Sequence, residues 1–237
     1  MGVLDVASWV VLIAALLTWY GFASRMRRAF RYAQCWTPAK TLLVFSGWAS
    51  TWIQLGALSW YGPLTLGHAL LALVLYASAY ALFRAALRAH GATKPAFVFT
   101  QVAPSSFCTA GPYRYIRHPL YTAYILAWLI PPLATAQLWV VIPTIWMTFL
   151  YTIAAWREER AFAWTPYAAL YQRYRQQAGM FWPRPRTLLA DLVARWRAEV
   201  PAHDRLTDEP RFPESPATSP REQVHLAPGV HQERTAA

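Results

Sequence analysis

The sequence predicts an all-α, polytopic membrane helix bundle: about five transmembrane segments, the last two a helical hairpin, followed by a cytoplasmic C-terminal segment. Three observations predict it. The 237-residue chain is 56% hydrophobic and 16% aromatic but only 14% charged, against roughly 25% charged in an ordinary soluble domain. Apolar runs near the length of about 20 residues needed to cross a hydrocarbon core recur as far as Trp156. The Lys and Arg residues crowd into alternate connections, which is the signature of the positive-inside rule.

The first run, Val3 to Ala23, is followed and not preceded by its positive charges (Arg25, Arg27, Arg28, Arg31 and Lys40). It therefore reads as a retained anchor and not as a cleaved signal peptide. The second and third runs are Thr41 to Trp60 and Leu66 to Leu87. Their connection, Tyr61 to Thr65, holds no Lys or Arg, whereas Arg84, Arg88, Lys94, Arg114 and Arg117 gather around the next one. The fourth run, Pro119 to Ile130, is predicted to stop at Pro131-Pro132, because proline removes a backbone donor. It forms one arm of the hairpin, and Leu138 to Trp156 forms the other across a connection that again lacks Lys and Arg.

All remaining basic residues lie from Arg157 onward, so the expected topology is N-terminus outside and C-terminus cytoplasmic. The net charge of +11 is then explained by topology and by attraction to anionic headgroups, and no nucleic-acid module is present. Thirteen Trp and thirteen Tyr suit the two membrane interfaces. Cys35 and Cys108 fall in cytoplasmic connections, outside any metal-ligand spacing, and read as small packing residues. No metal site is implied.

Past the last run, Thr165-Pro166 reads as an N-cap with proline at the first helical position, and Gly179 as a stop. The helix between them, Pro166 to Ala178, would set Tyr167, Tyr171 and Tyr174 on one face. Residues 187–200 fit an interfacial amphipathic helix, or almost equally an ordinary packed one, with Leu188, Leu189, Leu192, Val193 and Trp196 on one side. Residues 201–237 lack apolar periodicity and read as a disordered tail. Residues 1–186 thus form the membrane domain, divided into N-terminal segments (1–100) and a core (101–186) that carries the chemistry.

Two features in that core stand out. Between Val6 and Ala190 the only acidic residues are the adjacent Glu158 and Glu159. Neighbouring carboxylates repel, so they call for a cationic partner, either an interface arginine such as Arg157 or Arg160 or a ligand. The second feature is the run from Gly111 to Tyr121, Gly-Pro-Tyr-Arg-Tyr-Ile-Arg-His-Pro-Leu-Tyr. Pro119 opens a helix whose positive N-terminal end suits a carboxylate, and Arg117, His118 and Tyr121 add a donor fork, an imidazole and a phenol there. No Gly-x-Gly occurs anywhere, which excludes a Rossmann dinucleotide fingerprint. A channel or transporter would need polar residues spread through several segments, whereas Arg84 is the only charged side chain well inside one.

Together, Gly-Pro-Tyr-x-x-x-Arg-His-Pro-x-Tyr, the hairpin, Glu158-Glu159, Tyr171-x-x-Tyr174 and Pro183 resemble the isoprenylcysteine carboxyl methyltransferase family. Related enzymes that methylate phospholipids have a similar Arg-His-Pro-x-Tyr and Glu-Glu arrangement. The resemblance covers Gln101 to Pro183. It implies S-adenosylmethionine as cofactor, bound on the cytoplasmic side under the polar C-terminal segment. Tyr113, His118, Pro119 and Tyr121 would contact it, Gln101 would be a further contact, and Glu159 would meet its amino group. Glu158 and Arg117 join them by adjacency and charge.

Where the prenylcysteine enzymes place a substrate arginine this chain has Ala155, and Arg157 is the candidate to orient substrate in its stead. His118 is the motif histidine available to take a proton from an amine or thiol acceptor. The implied function is methyl transfer to a small lipophilic or amphiphilic acceptor (carboxylate, thiol or amine) arriving from the lipid bilayer. One alternative is a phospholipid N-methyltransferase. Another is an NADPH-dependent enzyme like the sterol reductases, which share the hairpin and C-terminal architecture but which Pro119 and the Glu158-Glu159 pair disfavour.

Overall fold

The computed structural model describes residues 2–29, 37–90 and 108–199. It is all-helical: α1 (Val3–Ala29), α2 (Pro38–Tyr61), α3 (Leu66–His90), α4 (Pro119–Thr135), α5 (Val141–Phe162), α6 (Ala168–Gln177) and α7 (Pro185–Glu199). The chain divides into two units, Met1–Arg195 and Trp196–Ala237, and α7 crosses that division. The first unit holds α1 to α6 and both charged motifs. The expected tail at 201–237, Cys35, Lys94 and Gln101 lie outside the described residues.

By length and composition, Val3–Arg25, Leu66–His90 and Leu138–Phe162 can cross a membrane alone. The other two expected segments join them in the bundle with weaker signals. In α2, Gly47, Ser50, Thr51 and Gln54 dilute the apolar character, and α4 is only 17 residues long. Thr37 caps α2 by accepting from the Lys40 amide at 3.2 Å, with Pro38 at the first helical position. At the far end Gly62 adopts φ 62°, and a Cβ there would lie 2.3 Å from Ser8 Oγ, so only glycine closes this turn against α1.

The ends of the bundle sort by charge. The two connections without Lys or Arg touch each other, the Leu64 amide donating to the Ala134 carbonyl at 2.9 Å. At the opposite end Cys108 Sγ lies 3.3 Å from the Ala89 carbonyl and Gly111 packs on Ala89, which brings the start of the Arg114–Arg117 segment to the basic end of α3. Between the ends, one buried cluster joins Phe22, Phe83, Tyr124, Met147 and Tyr151, and a second joins Val11, Leu58, Tyr76 and Ile130.

The fourth helix corrects the sequence expectation. It does not stop at Ile130 but runs through Pro131 and Pro132 to Thr135, capped by Ala136 at φ 54°. Pro132 has no N–H to give the Trp128 carbonyl, and in hydrocarbon an orphaned carbonyl costs several kcal/mol. Neighbouring helices supply the missing donors: Thr144 Oγ1 donates to the Trp128 carbonyl at 2.6 Å and Gln54 Nε2 at 3.0 Å, with 2.9 Å between those two groups. The helix can therefore continue where its own backbone could not sustain it.

The polar helix is corrected as well. It begins at Ala168, two residues after Pro166. The Thr165 hydroxyl donates to the Phe162 carbonyl at 2.8 Å, so it finishes α5 before α6 starts. Gly179 is not the helix stop itself. The helix ends at Gln177 with Ala178 extended, and Gly179 pairs with Ile116 in an isolated parallel bridge.

Candidate active site

The site is built where three pieces of chain converge at the basic end: the entry to α4, the last turns of α5, and the strand-like residues after α6. Backbone pairing aligns them. The Gly179 amide donates to the Tyr115 carbonyl (3.0 Å), the Arg117 amide to the Gly179 carbonyl (2.8 Å) and the His118 amide to the Met180 carbonyl (3.1 Å). Thr122 Oγ1 adds a bond to the Phe181 carbonyl at 3.0 Å. The Arg117-His118 dipeptide is thus held between the helix that Pro119 opens and the segment that follows α6.

Glu158 and Glu159, about 100° apart on α5, straddle the inner edge of that helix and meet different partners. Glu159, with only 2% of its side chain exposed, accepts from Arg117 Nε at 2.8 Å and from His118 Nε2 at 3.1 Å, both on Oε1. Its other oxygen lies 3.1 Å from Arg175 Nε. That contact is an ion pair without hydrogen-bond alignment, so Oε2 is buried with no hydrogen-bond partner. Glu158 is more open, its side chain 37% exposed. It accepts a short hydrogen bond from Tyr121 and lies 3.6 Å from His118 Nδ1, so the imidazole sits between the two carboxylates.

Arg117 is committed too. It donates to the Ala178 carbonyl at 2.6 Å and the Arg175 carbonyl at 3.3 Å as well as to Glu159. Behind the polar groups stands an aromatic column. His118 stacks on Tyr121 (centroids 5.5 Å apart), Tyr121 on Tyr151 (5.5 Å) and Tyr151 on Tyr124 (5.6 Å). A second buttress is phenolic. Tyr174 donates to the Tyr113 carbonyl at 2.6 Å, and the Tyr113 hydroxyl pairs with His90 Nε2 at 2.9 Å. Burial pushes the phenols of Tyr113, Tyr171 and Tyr174 well above their usual range, so they stay neutral hydrogen-bonding groups.

The structure brings Arg117, His118, Tyr121, Glu158 and Glu159 into one cluster, with buried Pro119 as the first residue of α4. Tyr113 stands apart from the carboxylates, as a neighbour of His90 and Tyr174. Arg157 sits on the exposed flank of α5, roughly 200° around the helix from buried Ala155. Of the expected tyrosine face, Tyr171 and Tyr174 are buried, while Tyr167 is 39% exposed.

Sequence reasoning missed three participants. Arg175 is one of two arginines on the polar helix α6, with nothing in its spacing to mark it. His90 ends α3 and carries no motif. Asp191 does have a signal, as the next acidic residue after Glu159. It receives Arg114 at 2.6 Å and the Tyr115 hydroxyl at 2.6 Å, which fastens α7 to the segment leading into the site.

Residues 63–169 match the phospholipid methyltransferase family, a little under half of the chain but including α3, α4, α5 and both charged motifs. No curated protein matches the chain. An all-helical bundle with this match is an integral membrane methyltransferase. The matched family lies within the superfamily that also includes the isoprenylcysteine carboxyl methyltransferases, in line with the resemblance drawn from the motifs. Use of S-adenosylmethionine is a general property of that family, so the match favours the methyltransferase reading over the NADPH-reductase one.

Proposed function

We propose that the chain methylates a lipophilic or amphiphilic acceptor from the bilayer, using S-adenosylmethionine held at the cluster of Glu158, His118 and Tyr121. The observation that carries this reading is the unequal state of the two carboxylates. Glu159 is already balanced by Arg117 and Arg175, whereas Glu158 is met by a phenol and an imidazole and is 37% exposed. The donor set therefore fits a ligand that brings its own ammonium, and that ammonium belongs against Glu158. Glu159 and Arg117, which the resemblance would put on the cofactor, work in this reading as the buried anchor beneath it.

When bound, the cofactor supplies an electrophilic methyl group on a sulfonium, so the protein needs no nucleophile of its own. Its residues position and exclude water. The first turn of α4 leaves the Leu120 and Tyr121 amides without acceptors inside the helix, which suits a carboxylate. The Tyr121–Tyr151–Tyr124 column forms an apolar wall. His118, between both carboxylates, is placed to receive a proton from an amine or thiol acceptor.

Among acceptors, the amine headgroup of a phospholipid is the second and narrower reading. It is favoured by the family matched at 63–169 and by Ala155, buried where a prenylcysteine enzyme would carry its substrate arginine. Membranes containing the protein, incubated with methyl-labelled cofactor, should place label in the lipid extract, and farnesylcysteine analogues should be poor acceptors. Label confined to protein, or strong turnover of farnesylcysteine that is lost in Arg157→Ala, would overturn the lipid reading and restore Arg157 as the substrate-orienting residue. We further propose that the site faces the cytoplasm, a reading that the alternation of basic connections supports. A reporter after Arg186 should be cytoplasmic and one at Gly62 external, and finding both on one side would reverse that placement.

A further inference from the structure

Away from the candidate active site, a cavity of about 420 Å³ opens between α1 and α3. Its walls are apolar along most of their length (Leu17, Leu73, Ala77), and Arg25 stands at its basic end with its guanidinium 5.4 Å from the centre of the Tyr80 ring. Tyr76, one turn deeper than Tyr80, also lines it, and its hydroxyl is buried with no hydrogen-bond partner. Tyr80 reaches across α1 only because residue 21 is glycine, since a Cβ there would lie 2.6 Å from its Cε2. Among the described residues, no carboxylate lines the cavity.

Its dimensions point to one occupant. From Ala14 to Arg25 the lining follows α1 for about 16 Å at 1.5 Å per residue, close to half of a hydrocarbon core about 30 Å thick. The cavity therefore runs from the headgroup level on the basic side to near the bilayer midplane. That is the profile of a single leaflet: a cation at headgroup depth among the tyrosines Tyr20 and Tyr80, then mostly hydrocarbon walls. We infer that this cavity is a seat for one anionic phospholipid of the basic-side leaflet, its phosphate against Arg25 and an acyl chain along Leu17, Leu73 and Ala77. The inference is independent of methyl transfer, because none of these residues belongs to the Glu158–Glu159 cluster.

Native mass spectrometry of the detergent-solubilised full chain tests it, with dioleoylphosphatidylglycerol and dioleoylphosphatidylcholine as probes. Wild type should retain the anionic lipid on the order of tenfold more tightly, the scale of one charge-assisted contact. Arg25→Gln should erase that preference while Arg25→Lys keeps most of it, and Ala77→Trp should expel both lipids by filling the groove. Equal retention of the two lipids by wild type would overturn the seat, and a preference that survives Arg25→Gln would overturn it by assigning the charge effect to the general basic surface. Unchanged binding in a folded Ala77→Trp variant would do the same for the acyl-chain groove.

Discussion

The bundle holds two buried polar assemblies, one deep among the membrane helices and one at the basic end, and they are built on opposite principles. The deep one, Gln54, Thr144 and the Trp128 carbonyl, is neutral and repairs a gap that Pro132 makes in α4. The other brings together two carboxylates, two arginines and a histidine, of which only Arg117 also serves backbone carbonyls, at the open end of α6. Charges are far costlier than amides to desolvate. A fold that can mend a proline gap with a glutamine and a threonine has no structural need for five ionisable groups in one place. The difference separates polar groups kept for the fold from those kept for chemistry.

The largest expected effect tests how tightly the charged assembly is bound together. Glu159→Ala leaves Arg117 and Arg175 facing each other, and breaking a buried pair costs about 3 to 5 kcal/mol. Thermal denaturation in detergent should show that loss, and a melting point close to wild type would mean that Glu159 is not the anchor. Next comes the division of labour between the acids. Glu158→Gln should weaken S-adenosylmethionine binding tenfold to a hundredfold by calorimetry, about 1.5 to 3 kcal/mol, with little change in melting. If Glu159→Gln lost as much affinity without destabilisation, the roles of the two acids would be exchanged.

The deep assembly should respond more mildly. Gln54→Leu removes one of two donors to the Trp128 carbonyl and should cost about 1 kcal/mol of stability, with methyl transfer per folded molecule unchanged. A loss of turnover at normal stability would show that this region also serves chemistry. The smallest effect belongs to the half-exposed tether of α7. Arg114 is 59% exposed, and Asp191→Ala should change the melting point by the equivalent of less than about 1 kcal/mol.

The sequence revealed what repeats locally. The apolar runs located α2 and α3 within three residues at either end and α1 and α5 within six, and the alternation of basic loops anticipated which ends meet. Pairings between distant segments were hidden. Gln54 meets Thr144 across 90 positions, and the only local hint was a glutamine inside an apolar helix. For the same reason Pro131-Pro132 read as a stop, because the donors that let the helix continue come from other helices. At the site, Arg117, His118, Tyr121 and the two acids were legible because a motif joins residue types with little structural reason to coincide. Arg175 was not, since its role depends on where α6 returns. The unequal standing of Glu158 and Glu159 was also out of reach, because adjacent identical residues differ only in what surrounds them.

The return of the chain after α6 bears on the order of assembly. Arg117 and His118 find their backbone acceptors in Gly179 and Met180, residues made some sixty positions later. During synthesis the earlier parts of a chain organise first, so the membrane helices can be in place while the dipeptide between them still lacks its partners. A chain halted before Gly179 would have both glutamates, the histidine and the side-chain partners of Arg117, but not the backbone acceptors that align the Arg117-His118 dipeptide. The enzyme is therefore completed from the water side, after its membrane part, and a truncated product would be lodged in the bilayer without a finished site.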